Sequence, residues 1–265
     1  MSSSIPRESI SHPAVPTVLW RLLLLCACLQ LLGCATTTAT TNRDRVVVLL
    51  GASSGFGKGV ALELAEQGAN VVVAARRTEL LEELARECEQ RGGRALAVTT
   101  DASDEGEVER LAEAAVAQFG RIDVWINLAG IGAFGRFEEI PLADHHRLLD
   151  VNVKGVINGS YFAMRRFRQQ GAGTLINISS VAGRVGFPYY PSYSASKHAV
   201  TGLGVALNQE LRLNGDRNIH VSTISPYASN TPWFEHAANY LGHSPSMVLM
   251  DPPGKIVDAI VKATL

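Results

Sequence analysis

Cysteine is scarce over most of this chain. Of the four, Cys26, Cys28 and Cys34 crowd into one apolar stretch near the start and Cys88 stands alone beyond it, so no disulfide framework can staple the rest together. Cys88 falls on the apolar stripe Leu80, Leu81, Leu84, Ala85 of an expected helix and reads as a buried structural thiol. A dominant charge is missing too. Lys+Arg 24 against Asp+Glu 25 leaves a net charge of −1, without the basic field that would hold nucleic acid. The seven histidines show no HExxH and no Cys/His ligand spacing, so no metal is expected, and His145 and His146 read as solvated residues of a helix surface. The apolar run from Leu22 to Leu32 falls short of the ~20 residues a comfortable membrane span needs. No internal repeat is visible, and 265 residues with 46% hydrophobic content suit one domain with one full core.

What is present begins with a segment set apart from the fold. Residues 1–42 comprise a Ser/Pro-rich stretch with Arg7 and Arg21, the short apolar run, and a Thr/Ala spacer from Thr36 to Thr41. This is a targeting pattern. Leu31-Leu32-Gly33-Cys34 resembles the bacterial lipobox, in which the cysteine is lipidated, so the expectation is membrane association through this segment. An uncleaved anchor, or a start codon set too far upstream before a cytoplasmic protein, are the alternatives.

Residues 43–265 read as the globular domain. Val46 to Leu50 is an apolar, β-branched run, followed at once by glycines and then by helical periodicity from Lys58 to Gln67. The alternation continues through strand Asn70 to Ala75, helix Thr78 to Arg91, strand Ala95 to Thr99, helix Glu105 to Phe119 and strand Ile122 to Asn127. A long helix from Ala143 to Gln169, strand Thr174 to Ser179, helix Pro191 to Leu213 and strand Ile219 to Ser225 complete it. The pattern predicts an α/β fold, a Rossmann-type doubly wound parallel sheet with helices on both faces, in a single domain.

The glycine turn Gly51-Ala52-Ser53-Ser54-Gly55-Phe56-Gly57 lies between the first strand and the first helix. There Gly51 permits a tight turn, and Gly55 and Gly57 let backbone approach a pyrophosphate at the positive end of the helix. It lacks the Gly-Lys-Ser/Thr ending of a triphosphate-binding loop. At the end of the second strand, where an acid would bind a ribose 2′-hydroxyl, the chain has Ala74-Ala75-Arg76-Arg77. Without the acid, and with guanidinium forks able to hold a 2′-phosphate, NADP(H) is expected over NAD(H).

Tyr193 and Lys197 in Tyr-Ser-Ala-Ser-Lys share one helix face. An ammonium held beside a phenol favours the phenolate, which predicts a lowered Tyr193 pKa and a usable proton donor and acceptor.

Together with these motifs, the whole region from Val46 to Leu265 resembles the short-chain dehydrogenase/reductase family. The resemblance implies that Gly51, Ser53, Ser54, Gly55, Phe56 and Gly57 bind cofactor and that Asp101-Ala102 contact adenine. It matches the family's fourth-strand motif to Asn127-Leu128-Ala129-Gly130, its helix asparagine to Asn152, and its active-site serine to Ser180 in Asn177-Ile178-Ser179-Ser180-Val181-Ala182-Gly183. Tyr193 and Lys197 follow, then Pro226 and Thr231 beside the nicotinamide. The implied reaction interconverts a carbonyl and an alcohol: hydride passes between nicotinamide and substrate carbon while Tyr193 exchanges the proton on oxygen. Ser180 would hold that oxygen, Lys197 the ribose hydroxyls, and Asn152 a water in line for proton relay.

Several positions depart from the family. Leu50 and Leu128 replace polar residues expected to fix buried loops, Tyr227 replaces a glycine near the nicotinamide or at the surface, and a further strand usually follows the helix matched by Pro253 to Thr264. The sheet is therefore expected to lack its last edge strand, so that either the chain is a shortened one or a second copy of it, in a homo-oligomer, covers the edge. Phe134, Phe137, Phe187, Tyr189, Tyr190, Trp233 and Phe234 would flank an apolar pocket for a hydrophobic carbonyl compound or alcohol, with Asn230 to Met250 as a mobile lid. A catalytically weak or inactive NADP-binding regulator, or a membrane-tethered scaffold, are the other readings of the same fold.

Overall fold

The computed structural model describes residues 41–243 and 250–265. The lipobox and Cys34 lie outside the described residues, as do residues 244–249 of the expected lid. Six parallel strands form the sheet: β1 (Val46–Leu50), β2 (Asn70–Ala75), β3 (Arg94–Thr99), β4 (Val124–Asn127), β6 (Gly173–Ile178) and β7 (Ile219–Ile224). Their order is β3-β2-β1-β4-β6-β7. The chain winds outward from β1 to β3, then returns to lay β4 on the other side of β1. Such a reversal opens a crevice at the carboxyl ends of the two central strands.

Side chains alternate across a strand, so a strand buried on both faces must be apolar throughout. All five residues of β1 are buried. Val47 and Leu49 face a layer built from Val60 and Leu64 of α1 (Gly55–Glu66), Leu81, Leu84 and Cys88 of α2 (Thr78–Gln90), and a later helix that carries Ile256 and Ile260. Val46, Val48 and Leu50 face the opposite layer, with Leu111 of α3 (Glu105–Phe119), Trp125 and Phe167. Cys88 is buried and its thiol is pushed up to about 11, chiefly by desolvation, an inert structural group as expected.

Local signals set the helix ends. Asp104 caps α3 by accepting from Glu107 N at 2.8 Å, and Gly120 ends it at φ +82°. The expected single helix from Ala143 to Gln169 is interrupted: α4 (Leu142–Leu149) and α5 (Gly155–Gln170) are joined by a π-type turn over Asp150–Lys154. Asn152 in that turn bonds Ile131 through both amide atoms, at 2.8 and 2.9 Å, a local widening that periodicity does not reveal. His145 corrects the solvated reading. It is buried, with Nδ1 2.5 Å from Ser192 Oγ and Nε2 3.0 Å from the Phe137 carbonyl.

After β6 comes α6 (Pro191–Asn214), opened by Pro191 in its first turn and closed by Gly215 at φ +74°. Beyond β7 lie a short helix α7 (Trp233–His236), and α8 (Pro253–Lys262) against α1. A two-residue parallel pair, β5 (Ala133–Phe134) with β8 (Ala238–Asn239), stands apart from the main sheet, and nothing in the sequence reading anticipates it. Among the described residues no further strand lies beside β7, and no helix is long and apolar enough to cross a membrane.

The polar losses at Leu50 and Leu128 are absorbed by backbone. Leu128 N and Ala129 N both donate to Leu50 O, at 2.8 and 2.7 Å, and Gly51 N and Ala52 N both donate to Ala74 O, at 2.7 and 3.0 Å. Beneath them Asn127 accepts from Trp125 Nε1 and donates to Asn177 Oδ1, each at 2.8 Å. A Cβ on Gly159 of α5 would collide with Asn127 Oδ1 and come within 2.8 Å of Trp125 Nε1. Gly159→Ala is expected to cost about 3 kcal/mol by overpacking this network, read as a fall in the urea unfolding midpoint with unchanged slope.

Candidate active site

The carboxyl ends of the strands open into a cavity of about 960 Å³, at the upper end of the range for ligand sites. At one end stand Arg76 and Arg77. The glycine loop forms the middle of the cavity, and Ser180, Tyr193 and Lys197 line the other end with Trp233 and Phe234. Of the residues singled out from sequence, Gly51, Ser53, Ser54, Gly55, Phe56, Gly57, Asp101, Ala102, Ala129, Gly130, Pro226 and Thr231 also line it. Asn127 and Asn152 do not. Both are fully enclosed behind the wall: Asn127 in the network beneath the strands, and Asn152 on the Ile131 backbone with Nδ2 3.1 Å from Ser196 Oγ. Phe134 is likewise absent from the lining, fully buried against Trp233, and so is Phe137. Phe137 is exposed and packs on His145 with ring centroids 4.9 Å apart.

Whether a dinucleotide fits can be tested at the glycine loop. Gly51 adopts φ +110°, and a Cβ there would lie 2.7 Å from Ala129 Cα; a Cβ on Gly57 would lie 2.8 Å from Ala52 Cα. Only glycine permits this compact turn. Ser54 stands at the N-cap of α1 without a side-chain cap bond, leaving the positive helix end to an anion. Gly55 faces Thr231 across the cavity, with Thr231 Cβ 3.7 Å from its notional Cβ. Arg77 donates to Ser53 Oγ at 2.9 Å and Ser54 Oγ at 3.0 Å, so two hydroxyls and a guanidinium converge at the strand exit. These residues fit a dinucleotide.

Asp101 is held by groups the sequence reading missed. Arg147 Nη2 donates to Asp101 Oδ2 at 2.8 Å, and Ser103 donates to Oδ1 through both N and Oγ. Partial burial pushes the carboxyl up, but these bonds and the nearby guanidinium outweigh it and hold it at about 2. No sequence signal links residue 147 to residue 101, since they meet only where α4 folds back over the third strand exit.

At the other end the structure corrects the expected Tyr193–Lys197 coupling. Tyr193 is pushed up to about 12, mainly by burial, against a lowering hydrogen bond with Ser180 and with a further raising contribution from Tyr190. Lys197 is 4% exposed and pulled down to about 8 by burial. Its Nζ donates to the Ile178 carbonyl at 2.9 Å and lies 5.7 Å from the Tyr193 ring centroid. Desolvation therefore outweighs any pull of the ammonium on the phenol, and Tyr193 stays protonated across the physiological range. Ser180 Oγ lies 3.1 Å from Ala182 N, which donates to it. A phenol that keeps its proton beside a fixed hydroxyl can hold a substrate oxygen and deliver a proton to it. Tyr227, one of the departures, lines the cavity while 40% exposed.

A glycine-lined crevice at the point where strand order reverses places the molecule among the nucleotide-binding α/β proteins. Within that class, residues 45–240 match the model of the short chain dehydrogenase family, and the chain belongs to that family: it is an oxidoreductase of the kind that acts on alcohol and carbonyl groups. It is 36% identical over 83% of its length to an uncharacterized oxidoreductase, YxnA, of Bacillus subtilis, and spans 63% of that relative. A diacetyl reductase, (S)-acetoin forming, of Staphylococcus epidermidis is 32% identical, with 82% of this chain and 81% of the relative covered. Among solved structures, an alcohol dehydrogenase from Thermococcus sibiricus complexed with 5-hydroxy-NADP superposes with TM-score 0.73 at 25% identity, covering 83% of this chain and 90% of that one. A family member from Burkholderia phymatum in complex with NAD superposes with TM-score 0.72 at 28% identity, covering 85% and 80%.

Two expectations follow from this geometry. Because the folded pKa of Asp101 lies below its unfolded value, its stabilisation is present above about pH 4 and is lost as pH falls towards 2. Asp101→Asn should remove that part of the acid sensitivity, and after discounting for solvent screening about 1 kcal/mol at neutral pH, in urea titrations at pH 7 and pH 3. Tyr190 carries a buried hydroxyl with no hydrogen-bond partner among the described residues, and an unpaired buried hydroxyl costs stability. Tyr190→Phe should raise stability by about 1 kcal/mol, seen as a higher thermal midpoint.

Proposed function

We propose that the protein is an NADP(H)-dependent reductase that converts a hydrophobic ketone or aldehyde to its alcohol, with Tyr193 as proton donor. The observation that carries this reading is the placement of Tyr193 with Ser180 and Lys197 at one end of a dinucleotide-sized cavity, where partial burial pushes the phenol up and keeps its proton on it. A nicotinamide dinucleotide supplies the hydride when bound. The chain's residues do the rest: Ser180 and Tyr193 hold the substrate oxygen, and the phenol transfers its proton as negative charge develops there. Lys197, fixed by the Ile178 carbonyl, supplies positive charge at the cavity wall beside Gly130. Asn152 holds residue 131 from behind through both amide atoms, and the water in line for proton relay expected of it from sequence remains part of the proposal.

The preference for NADP(H) is supported by the strand exit, where Arg76 and Arg77 line the cavity and Arg77 is oriented by Ser53 and Ser54. A guanidinium so placed favours a 2′-phosphate, and the strand ends in Ala74-Ala75 followed by Arg76, with no carboxylate at that exit to repel it. Membrane association through the segment ending at Cys34 belongs to the same proposal; an unmodified Cys34 on an uncleaved, soluble chain, by mass analysis after fractionation, would end it.

Fluorescence titration with NADPH and NADH, followed by turnover of a panel of carbonyl compounds, tests the enzyme reading. Tyr193→Phe should leave NADPH affinity within about threefold and lower kcat by about 10³-fold. Arg76→Ala should weaken NADPH by about tenfold while leaving NADH nearly unchanged. Binding with no turnover of any carbonyl compound would favour the regulator, and no binding at all the scaffold.

A further inference from the structure

An indole stands in the wall beside Tyr193. The Trp233 ring centroid lies 5.2 Å from that of Tyr193, 5.8 Å from Phe134 and 5.1 Å from Phe234, and Trp233 lines the cavity. Two features lock it there. Trp233 Nε1 donates to the Gly130 carbonyl at 3.0 Å. Gly132 leaves a notch beneath the ring, where an added Cβ would stand 2.6 Å from Cη2 and 2.7 Å from Cζ2 of the indole. The backbone on both sides is paired as well, since Ala133 and Phe134 run parallel to Ala238 and Asn239. An exposed tryptophan on a four-residue helix has many rotamers; this one is held at both its edge and its face.

We propose that Trp233 sets the size of the substrate, and that Gly132 is the residue that positions it. A ligand reaching the Tyr193 phenol must pass under an indole already in contact with that ring. The enzyme therefore selects compact ketones and secondary alcohols, with at least one small substituent on the reacting carbon, over bulky ones. This inference rests on the reductase reading above and adds the substrate class to it. An apolar wall discriminates by volume, and each excluded carbon counts for about tenfold or more.

The test compares acetophenone, which carries a methyl group on the reacting carbon, with benzophenone, which carries two phenyl rings there, using the full chain, Trp233→Ala and Gly132→Ala, with NADPH affinity measured separately by fluorescence. The native chain should favour the smaller ketone in kcat/KM. Trp233→Ala should shift the ratio at least tenfold towards the larger ketone. Gly132→Ala should shift it in the same direction by a smaller factor, because its methyl group pushes the indole out of the notch without deleting it. That second variant separates wall placement from a folding defect at residue 233. Ratios unchanged in both variants, or equal loss on both ketones with NADPH affinity retained, would overturn the proposal, as would failure of all three chains to reduce either ketone while binding NADPH. Failure of the native chain to bind either nicotinamide cofactor would instead bring down the reductase reading itself.

Discussion

The close approach of the first glycine turn to the end of the fourth strand is the constraint on which the site depends. Leu50 O accepts from two consecutive amides across the central strand pair, and Ala74 O from two on the other side. Side chains have no room between these backbones, which is why Gly51 takes φ +110° against Ala129. With the two strand ends tied at this distance, helix α1 begins with its amides aimed into the crevice, and the loop after β4 runs past Gly130 and Gly132 towards the tyrosine. The departures at Leu50 and Leu128 are tolerated because main-chain groups carry this junction and both leucines are packed against apolar layers.

Burial governs the electrostatics at the two ends of the cavity in opposite ways. At one end Asp101 is partly solvated and surrounded by donors, so hydrogen bonds and Arg147 win and the carboxyl stays ionised. At the other end Lys197 is buried and Tyr193 partly so, and desolvation drives both towards their neutral forms. One cavity thus keeps an ionised carboxyl at one end and a protonated phenol at the other. Trp233 and Phe234, with Phe134 behind them, form an aromatic wall at the phenol end.

The strand and helix sequence was legible because burial on both faces forces continuous apolar runs, and because Asp104, Gly120, Pro191 and Gly215 punctuate the helices. Strand limits were read to within a residue or two. The π-type turn at Asp150–Lys154 was not legible, since its cause is a bond from Asn152 to a loop far off in the chain. His145 was misread for the same reason: its partners, Phe137 and Ser192, come from other elements. So was the direction of the Tyr193 shift, because helical spacing reveals a neighbouring charge but not the depth at which both groups lie.

By itself the sequence determined the parallel sheet, the glycine crevice and the set of polar side chains brought to it, because apolar periodicity and glycine placement act locally and are written in residue order. Tertiary structure alone decided which of those side chains face the cavity, that Asn127 and Asn152 stand behind its wall, that Arg147 holds Asp101, and that Trp233 lies over Tyr193 in a notch left by Gly132. These follow from distances between residues remote in the chain and from the exclusion of water, neither of which has a local signature.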